Sequence, residues 1–415
     1  MADISKPILV IGGGISGVTT AVEAAEAGAK VVLVESNPYL GGRVAQLHQY
    51  FPKLCPPTCG LEINFKRIKF NPDITFYTDA KVTSVSGSKG NFDVTITLNP
   101  RYVNDKCTAC GECEKVCSTE VPNSFNYGLD KVKAISLPHE MAYPNRYWFD
   151  AKNASLDELK KCVSACKYNA INPDAQAETI TVNAGAIVVA TGWKPYDMAN
   201  LDLLGAGQIP NVISNVQMER MAAENGPTKG KIVRPSDQKE LESIAFVQCA
   251  GSRDENHMKQ CSSICCLASL KQMTYVRAQY PEIPIYMFYI DVRANGRYED
   301  FYQKVAANDP NITLVKGKVA GIKQDGPDLL LEAEDTLTGK KSSQKVNMAV
   351  LATGMQPAKN GLSIPGLDYD DMDFVISDPD TTGIIGVGCA KSPVEVVQCM
   401  RDATGAALKA IQSCK

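Results

Sequence analysis

Histidine and tryptophan are nearly missing from this chain, at three and two residues out of 415. His48, His139 and His257 show no spacing that fits a zinc site or an acid–base pair, so each reads as a polar surface or hydrogen-bonded residue. Neither sign of charge is in excess. The 43 basic and 46 acidic residues leave a net charge of −3, which removes nucleic-acid binding as a main role. Apolar runs such as Pro7–Ile11 and Ile384–Val387 fall far short of the ~20 residues that cross a bilayer. The start of the chain runs directly into glycines and then Glu23 and Glu26, without an apolar core and cleavage site, and reads as a mature cytoplasmic protein. There is no nucleophile elbow, no P-loop, no solenoid repeat and no low-complexity linker.

Cysteine, by contrast, is abundant at 15 residues. An odd count grouped at short spacings, in a long chain without a secretory leader, argues for metal or redox chemistry over a disulfide framework. The length suggests two to three domains at roughly 150 residues each, enough for a large core.

Alternating strands and helices point to an α/β protein with parallel sheets covered on both faces. Residues 1–100 read as strand (Ile8–Ile11), glycine turn, helix (Val18–Ala27) and strand (Val31–Glu35), the first part of a dinucleotide-binding domain. Residues 101–173 shift to Cys, Asn, Lys and Tyr and look like an insertion. Residues 174–200 return to strands of the first domain. Residues 201–345 form a second α/β unit, with strands near Ile244–Gln248, Ile285–Tyr289, Ile312–Val315 and Leu329–Glu332. Residues 346–415 close the first domain with strands at Val346–Gly354 and Ile384–Gly388 and a helix at Val394–Ser413. One internal echo stands out, VVATGWKP at Val188–Pro195 and VLATGMQP at Val350–Pro357.

Gly12-Gly13-Gly14-Ile15-Ser16-Gly17 fits G-x-G-x-x-G between a strand and a helix. Gly12 permits the tight turn, Gly14 the approach of a pyrophosphate, and Gly17 close helix–strand packing. Amides opening the helix then face the diphosphate. Glu35 ends the next strand, close to where an acid hydrogen-bonds a ribose hydroxyl, and Gly41-Gly42-Arg43 follows. The second unit has no such motif. After its first strand comes Cys249-Ala250-Gly251-Ser252-Arg253-Asp254, so binding of a nicotinamide dinucleotide there is expected to be lost or much altered.

Cys107, Cys110, Cys113 and Cys117 have the C-x2-C-x2-C-x3-C spacing that wraps a [4Fe–4S] cluster, the fourth cysteine typically serving the other cluster of a pair. The reciprocal run is degenerate: Leu156 and Leu159 precede Cys162 and Cys166. One cluster therefore keeps Cys107, Cys110, Cys113 and Cys166, and Cys117 and Cys162 are too few for another. Cys249, Cys261, Cys265 and Cys266 read either as a second cluster site or as buried structural thiols. Cys55 and Cys59 read as a candidate redox dithiol or as unpaired thiols. Cys389, Cys399 and Cys414 read as ordinary helix or strand cysteines.

GGGISG, Glu35, GGR, the two ATG strands and the closing GVGCA…P…GAALKAI resemble the two-dinucleotide-binding-domain flavoproteins of the glutathione and thioredoxin reductase type. That resemblance implies FAD, closed in by Gly386–Pro393, although Cys389 stands where that type has Asp. Gly41–Pro52 (GGRVAQLHQYFP), Gln248–Glu255 (QCAGSRDE) and Cys261–Cys266 (CSSICC), with a ferredoxin-like insertion between FAD segments, further resemble the A-subunit family of heterodisulfide reductases over nearly the whole chain. The compact layout, without the extra domains of larger members, is similar to flavoprotein subunits of quinone-linked membrane complexes in sulfate-reducing bacteria.

These resemblances imply FAD contacts at Gly12, Gly14, Ile15, Ser16, Gly17, Glu35, Gly42, Arg43, Gln46, Val82, Thr191, Gly192, Gly388 and Pro393. They also imply an additional cluster on Cys249, Cys261, Cys265 and Cys266. The implied role is electron transfer within a complex that holds a second flavin/Fe–S subunit, plus a quinone-reactive membrane subunit, with adenylylsulfate reductase as a further partner. The implied location is the cytoplasm, peripheral to the membrane through those partners. The alternative from the residues alone is a self-contained NAD(P)H-linked or disulfide reductase using Cys55 and Cys59.

Overall fold

The computed structural model describes residues 6–414 apart from 360 and 363. It opens with β1 (Ile8–Ile11), α1 (Ile15–Glu26) and β2 (Val31–Val34), then α2 (Thr58–Phe70) and β3 (Ile74–Tyr77), followed by the hairpin β4 (Ala80–Ser88) and β5 (Asn91–Leu98). A cysteine-rich stretch carries the short helices α3 (Glu112–Val116) and α4 (Leu156–Val163) and two small hairpins. β6 (Glu178–Ala184) and β7 (Ala186–Val189) then return to the first half.

The second half runs through β8 (Val212–Ser214), α5 (Asn215–Ala222), β9 (Ile244–Ala250), α6 (Cys265–Gln279), β10 (Ile285–Tyr289) and β11 (Ile312–Lys316). It continues with β12 (Val319–Asp325), β13 (Asp328–Asp335), β14 (Lys340–Val346) and β15 (Met348–Thr353). β16 (Ile384–Gly386) and the long α7 (Val396–Ser413) rejoin the first half.

Each half is built the same way. A five-stranded parallel sheet, ordered β16-β7-β1-β2-β3 in the first half and β8-β15-β9-β10-β11 in the second, carries helices on one face. A three-stranded antiparallel sheet covers the other face, β6-β5-β4 in the first half and β12-β13-β14 in the second. Strands buried on both faces need side chains that are apolar without alternation, which is why ILVI, AIVV and IAFV read as continuous runs. Alternate residues feed two cores. Ile8, Val10, Val31 and Leu33 pack under α1 and α7, while Leu9, Ile11 and Val34 meet Phe92, Val94 and Ile96 of the hairpin layer.

The two halves are joined where the internal echo predicts a correspondence. Trp193–Pro195, just after β7, pairs antiparallel with Met355–Pro357, just after β15. Each strand is thus followed by a glycine, Gly192 or Gly354, and the chain then crosses to the other half alongside its counterpart.

Leu9 has no exposed surface and lies in the central strand of the first sheet. Leu9→Ala should lower the unfolding free energy by about 2–5 kcal/mol, read from chemical denaturation of the full chain.

Candidate functional site

The β1–α1 turn is shaped by backbone contacts that side chains would forbid. A Cβ on Gly17 would stand 1.8 Å from the Gly12 carbonyl oxygen, and one on Gly12, whose φ is +110°, would stand 2.3 Å from that of Ala190. On Gly42 a Cβ would lie 2.8 Å from the Gly14 Cα, whereas on Gly14 it meets nothing nearer than 3.9 Å. The open side of Gly14 faces a cavity of about 590 Å³. No side chain caps α1, so its first-turn amides remain available to an anion at the cavity floor. This is a cradle of the kind a dinucleotide diphosphate fills.

Of the sequence-predicted contacts, Gly12, Gly14, Ile15, Ser16, Glu35, Gly42, Arg43, Gln46, Val82, Thr191 and Gly192 line this one cavity. Gly17 lies behind the turn, and Gly388 and Pro393 sit one residue away from the lining residues Cys389 and Val394. Glu35 braces the turn: its carboxylate accepts from the Gly13 N–H at 2.6 Å, the Asn37 N–H at 2.7 Å and the Asn37 amide at 2.8 Å. Burial pushes its carboxyl above the ordinary range, and these donors oppose the shift.

The far wall comes from residues that no motif singles out. Lys271 of α6 and Glu219 of α5 form a buried ion pair at 3.0 Å. Lys271 also donates to the Gln49 carbonyl at 2.7 Å, and Glu219 accepts from Gln272 at 2.7 Å and from the His48 N–H at 3.0 Å. The cysteine-rich stretch closes another side with Ser124 and Tyr127, the latter bonded to Arg43 at 3.0 Å and Gln46 at 2.9 Å. Behind them Arg220, 1% exposed, donates to Asn126 at 2.8 Å and lies over the Phe125 ring at 4.6 Å. That contact ties the second half to the cysteine-rich stretch.

Cys107, Cys113, Cys117, Cys162 and Cys166 share one small core with Tyr147, Phe149 and Leu159. Their sulfurs fall into two chemical classes. Cys107 accepts from the Ala109 and Tyr147 amides at 3.4 and 3.5 Å, and Cys166 accepts from Ala170 at 3.3 Å, the amide-to-sulfur donation that supports a ligating thiolate. Cys117 and Cys162 instead donate to the Thr119 and Glu158 carbonyls at 3.6 and 3.4 Å, as neutral thiols do. Burial, then the neighbouring Cys107 and Cys162, pushes the Cys113 thiol up to about 12. Ala109 and Gly111, at φ of +55° and +82°, fold the loop that holds exposed Cys110. Leu159, in the place of a second-cluster ligand, is fully buried in the core. Among the described residues, no three or more of His, Cys, Asp and Glu close on a single point in a cage.

In the second half, Cys249, the next-to-last residue of β9, is at φ +57°, and Arg253 and Ser263 also hold left-handed conformations. Such strain in residues other than glycine gathers at functional sites. Fourteen residues separate the strand end Ala250 from the start of α6 at Cys265, so no helix N-terminus follows the strand to receive a phosphate. The intervening loop carries the third cysteine group. Cys249 and Cys265 are pushed up to about 11 and 12, chiefly by burial, with the other cysteines of the group adding to it. Cys265 donates to the Thr353 carbonyl at 3.7 Å and Cys266 to that of Asp291 at 3.6 Å. Ile264, between Ser263 and Cys265, lines the cavity. Cys55 and Cys59 are exposed and outside the cavity wall, so no observation favours them as the dithiol of a flavin reductase.

Residues 7–53 match the family of FAD dependent oxidoreductases. The chain is 34% identical, over 98% of its length and 57% of the relative's, to the A-subunit of ferredoxin:CoB-CoM heterodisulfide reductase from Methanosarcina acetivorans. It is 39% identical to the second iron-sulfur A-subunit of CoB–CoM heterodisulfide reductase from Methanopyrus kandleri, over 86% of its own length and 54% of the relative's. With the corresponding iron-sulfur A-subunit from Methanocaldococcus jannaschii it shares 35% identity, over 98% of itself and 64% of that chain. The chain thus spans about half to two thirds of these relatives. In fold it is similar to thioredoxin reductases of T. acidophilum and Lactococcus lactis, each with a TM-score of 0.55 and 13% identity, covering 98% and 99% of both chains. FAD is the cofactor that the family match supports, and the α/β architecture expected from the sequence is the one observed. No described helix is long and apolar enough to cross a membrane.

The sequence leads to the expectation that the Glu35 carboxylate accepts from a ribose hydroxyl, a bond that protonation would weaken. Flavin retention should fall about tenfold as pH drops from 8 towards the raised carboxyl pKa, followed by fluorescence of released flavin, and Glu35→Gln should flatten the dependence.

Proposed function

Since this chain is homologous over 98% of its length to the A-subunits of heterodisulfide reductases, we propose that it is an FAD- and iron–sulfur-containing electron-transfer subunit of a multi-subunit oxidoreductase. The observation that carries this is the placement of one dinucleotide cavity between two cysteine groups. Tyr127 of the cysteine-rich stretch and Ile264 of the Cys261–Cys266 loop stand in its wall. FAD, when bound, supplies exchange of electron pairs on one side and single electrons on the other. The residues of the chain hold it: the Gly12–Gly17 turn takes the diphosphate, Glu35 the ribose, and Arg43, Tyr127 and Gln46 close the cavity against water.

Cys107, Cys110, Cys113 and Cys166 hold one [4Fe–4S] cluster, supported by the amides donated to Cys107 and Cys166. Cys249, Cys261, Cys265 and Cys266 hold a second, supported by the burial of Cys249, Cys265 and Cys266 and by the strained backbone around them. FAD binds to residues 1–100, 174–200 and 346–415 apart from β15 (Met348–Thr353), which belongs to the sheet of the second unit; 101–173 carry the first cluster, and 201–345 with β15 form a second unit that has lost its nicotinamide dinucleotide site. That loss is supported by the fourteen-residue gap between Ala250 and Cys265. Electrons pass between a quinone-linked membrane partner, reached through a second flavin/Fe–S subunit, and a soluble acceptor such as adenylylsulfate reductase. The chain works at the inner face of the membrane through those partners.

Anaerobically purified full-length protein should contain about eight irons per FAD, falling to about four in a Cys265→Ser/Cys266→Ser variant. It should not oxidise NADH or NADPH at enzymatic rates above ~1 s⁻¹. Absence of iron, or NADH turnover by the isolated chain, would overturn the reading. Electron delivery from the quinone-linked complex to adenylylsulfate reductase should need this chain, checked by omitting it from the reconstituted system.

A buried ammonium in the cavity wall favours any ring beside it that gains negative charge. Lys271→Met would leave the Glu219 carboxylate uncompensated there, and the flavin should become harder to reduce in a dithionite titration.

A further inference from the structure

Two cysteines outside these groups meet in the wall of the same cavity. Cys389 lies in the single turn Gly388–Ala390 after β16, and Cys399 in the first turn of α7. Both are buried, both line the cavity, and their sulfurs are 3.7 Å apart with no bond between them. The backbone holds them there. The Gly388 N–H donates to Asp402 of α7 at 2.8 Å, and Lys391 pairs with the same carboxylate at 3.0 Å, so the turn that carries one cysteine is pinned to the helix that carries the other.

A Cβ on Gly388, at φ +59°, would stand 3.3 Å from the Cys399 sulfur and 2.2 Å from the Ser16 hydroxyl. Glycine at 388 is what lets the Cys399 sulfur and the Ser16 hydroxyl crowd against this turn. A sulfur–sulfur bond is about 2.05 Å long, so less than 2 Å of approach separates the present contact from a covalent one.

The two thiols are also differentiated. The contact with Cys389 and the Ser16 hydroxyl at the start of a helix hold the Cys399 thiol below the ordinary range, while the same contact and burial hold Cys389 above it. One sulfur is thereby prepared as a nucleophile and the other as its resolving partner.

We infer that Cys389 and Cys399 are a reversible oxidation site, which hydrogen peroxide or another small hydroperoxide converts to a disulfide within the wall of the dinucleotide cavity. The Cys399 thiolate attacks one peroxide oxygen. The O–O bond breaks, giving Cys399 sulfenic acid and a hydroxide that takes up a proton to become water. The Cys389 sulfur then attacks the sulfenic sulfur, the S–O bond breaks, and a second water leaves with the Cys389 proton. In sum, two thiols lose two electrons and two protons, and one hydrogen peroxide becomes two waters. A dithiol reductant reverses the change by thiol–disulfide exchange. The site stands on cysteine geometry alone and does not depend on which clusters the other cysteines hold.

Trypsin cuts between the two cysteines at Lys391, so a disulfide joins peptide 360–391 to peptide 392–401. The full-length flavoprotein is treated with hydrogen peroxide in the presence of a chelator, alkylated and analysed by mass spectrometry. The linked pair should form in more than half of the chains before exposed Cys55 and Cys59 lose half of their alkylation, and dithiothreitol should remove it. Cys389→Ser should leave Cys399 as a sulfenic acid captured by dimedone, whereas Cys399→Ser should leave Cys389 fully alkylated. Retention of both free thiols after Cys55 and Cys59 are oxidised would overturn the inference. So would formation of the link at the same rate in the urea-unfolded chain, because the native geometry would then contribute nothing.

Discussion

The constraint on which the site depends is backbone pressed on backbone. α1 approaches β1 until only a hydrogen fits on Gly17, and the Gly12 turn rests against the carbonyl of Ala190 at the end of β7. Everything at the site is measured from that contact. It aims the first amides of α1 at the cavity and sets the height of Ser16 against Gly388. It also places Gly13 where the Glu35 carboxylate can reach its N–H. No interaction of side chains could hold these elements as near, since the space where side chains would stand is already taken by carbonyl oxygens.

From this frame the two halves divide the work. The first supplies polar backbone and a buried carboxylate, suited to the diphosphate and ribose of a dinucleotide. The second repeats the sheet but replaces the phosphate-facing helix start with a long, strained loop of cysteines, and turns α5 and α6 towards the first half instead. The second half thus keeps the sheet architecture and carries a cysteine-bearing loop where the first half has its glycine turn. Lys271 and Glu219 show the same economy. Fully desolvated, each would be costly alone, and together with Gln272, Gln49 and the His48 amide they form a satisfied network at the cavity wall.

Features encoded within a few consecutive residues were legible in the sequence. The glycine turn, the continuous apolar strands and the cysteine spacings all express local geometry, and the strands observed fall within a few residues of those expected. The far wall was not legible because nothing local marks it. α6 is buried on most of its circumference, so no polar face distinguishes Lys271 from an ordinary surface lysine. Arg220 reads equally as a surface residue until Asn126 and Phe125 are brought over it from the cysteine-rich stretch. Cys389 and Cys399 follow no motif, since a separation of ten residues has no meaning until the chain doubles back from β16 into α7.

The antiparallel pairing of Trp193–Pro195 with Met355–Pro357 has a mechanical consequence. The chain passes between the halves twice, and the two passages are laced into one ribbon rather than left as separate tethers. A pair of independent tethers would let one half slide and twist over the other. A laced ribbon resists shear and torsion and leaves bending as its soft direction. The cavity beside it, walled by Trp193 and Met355 of that ribbon, therefore keeps the lateral alignment of its two walls while its width is the dimension most readily changed.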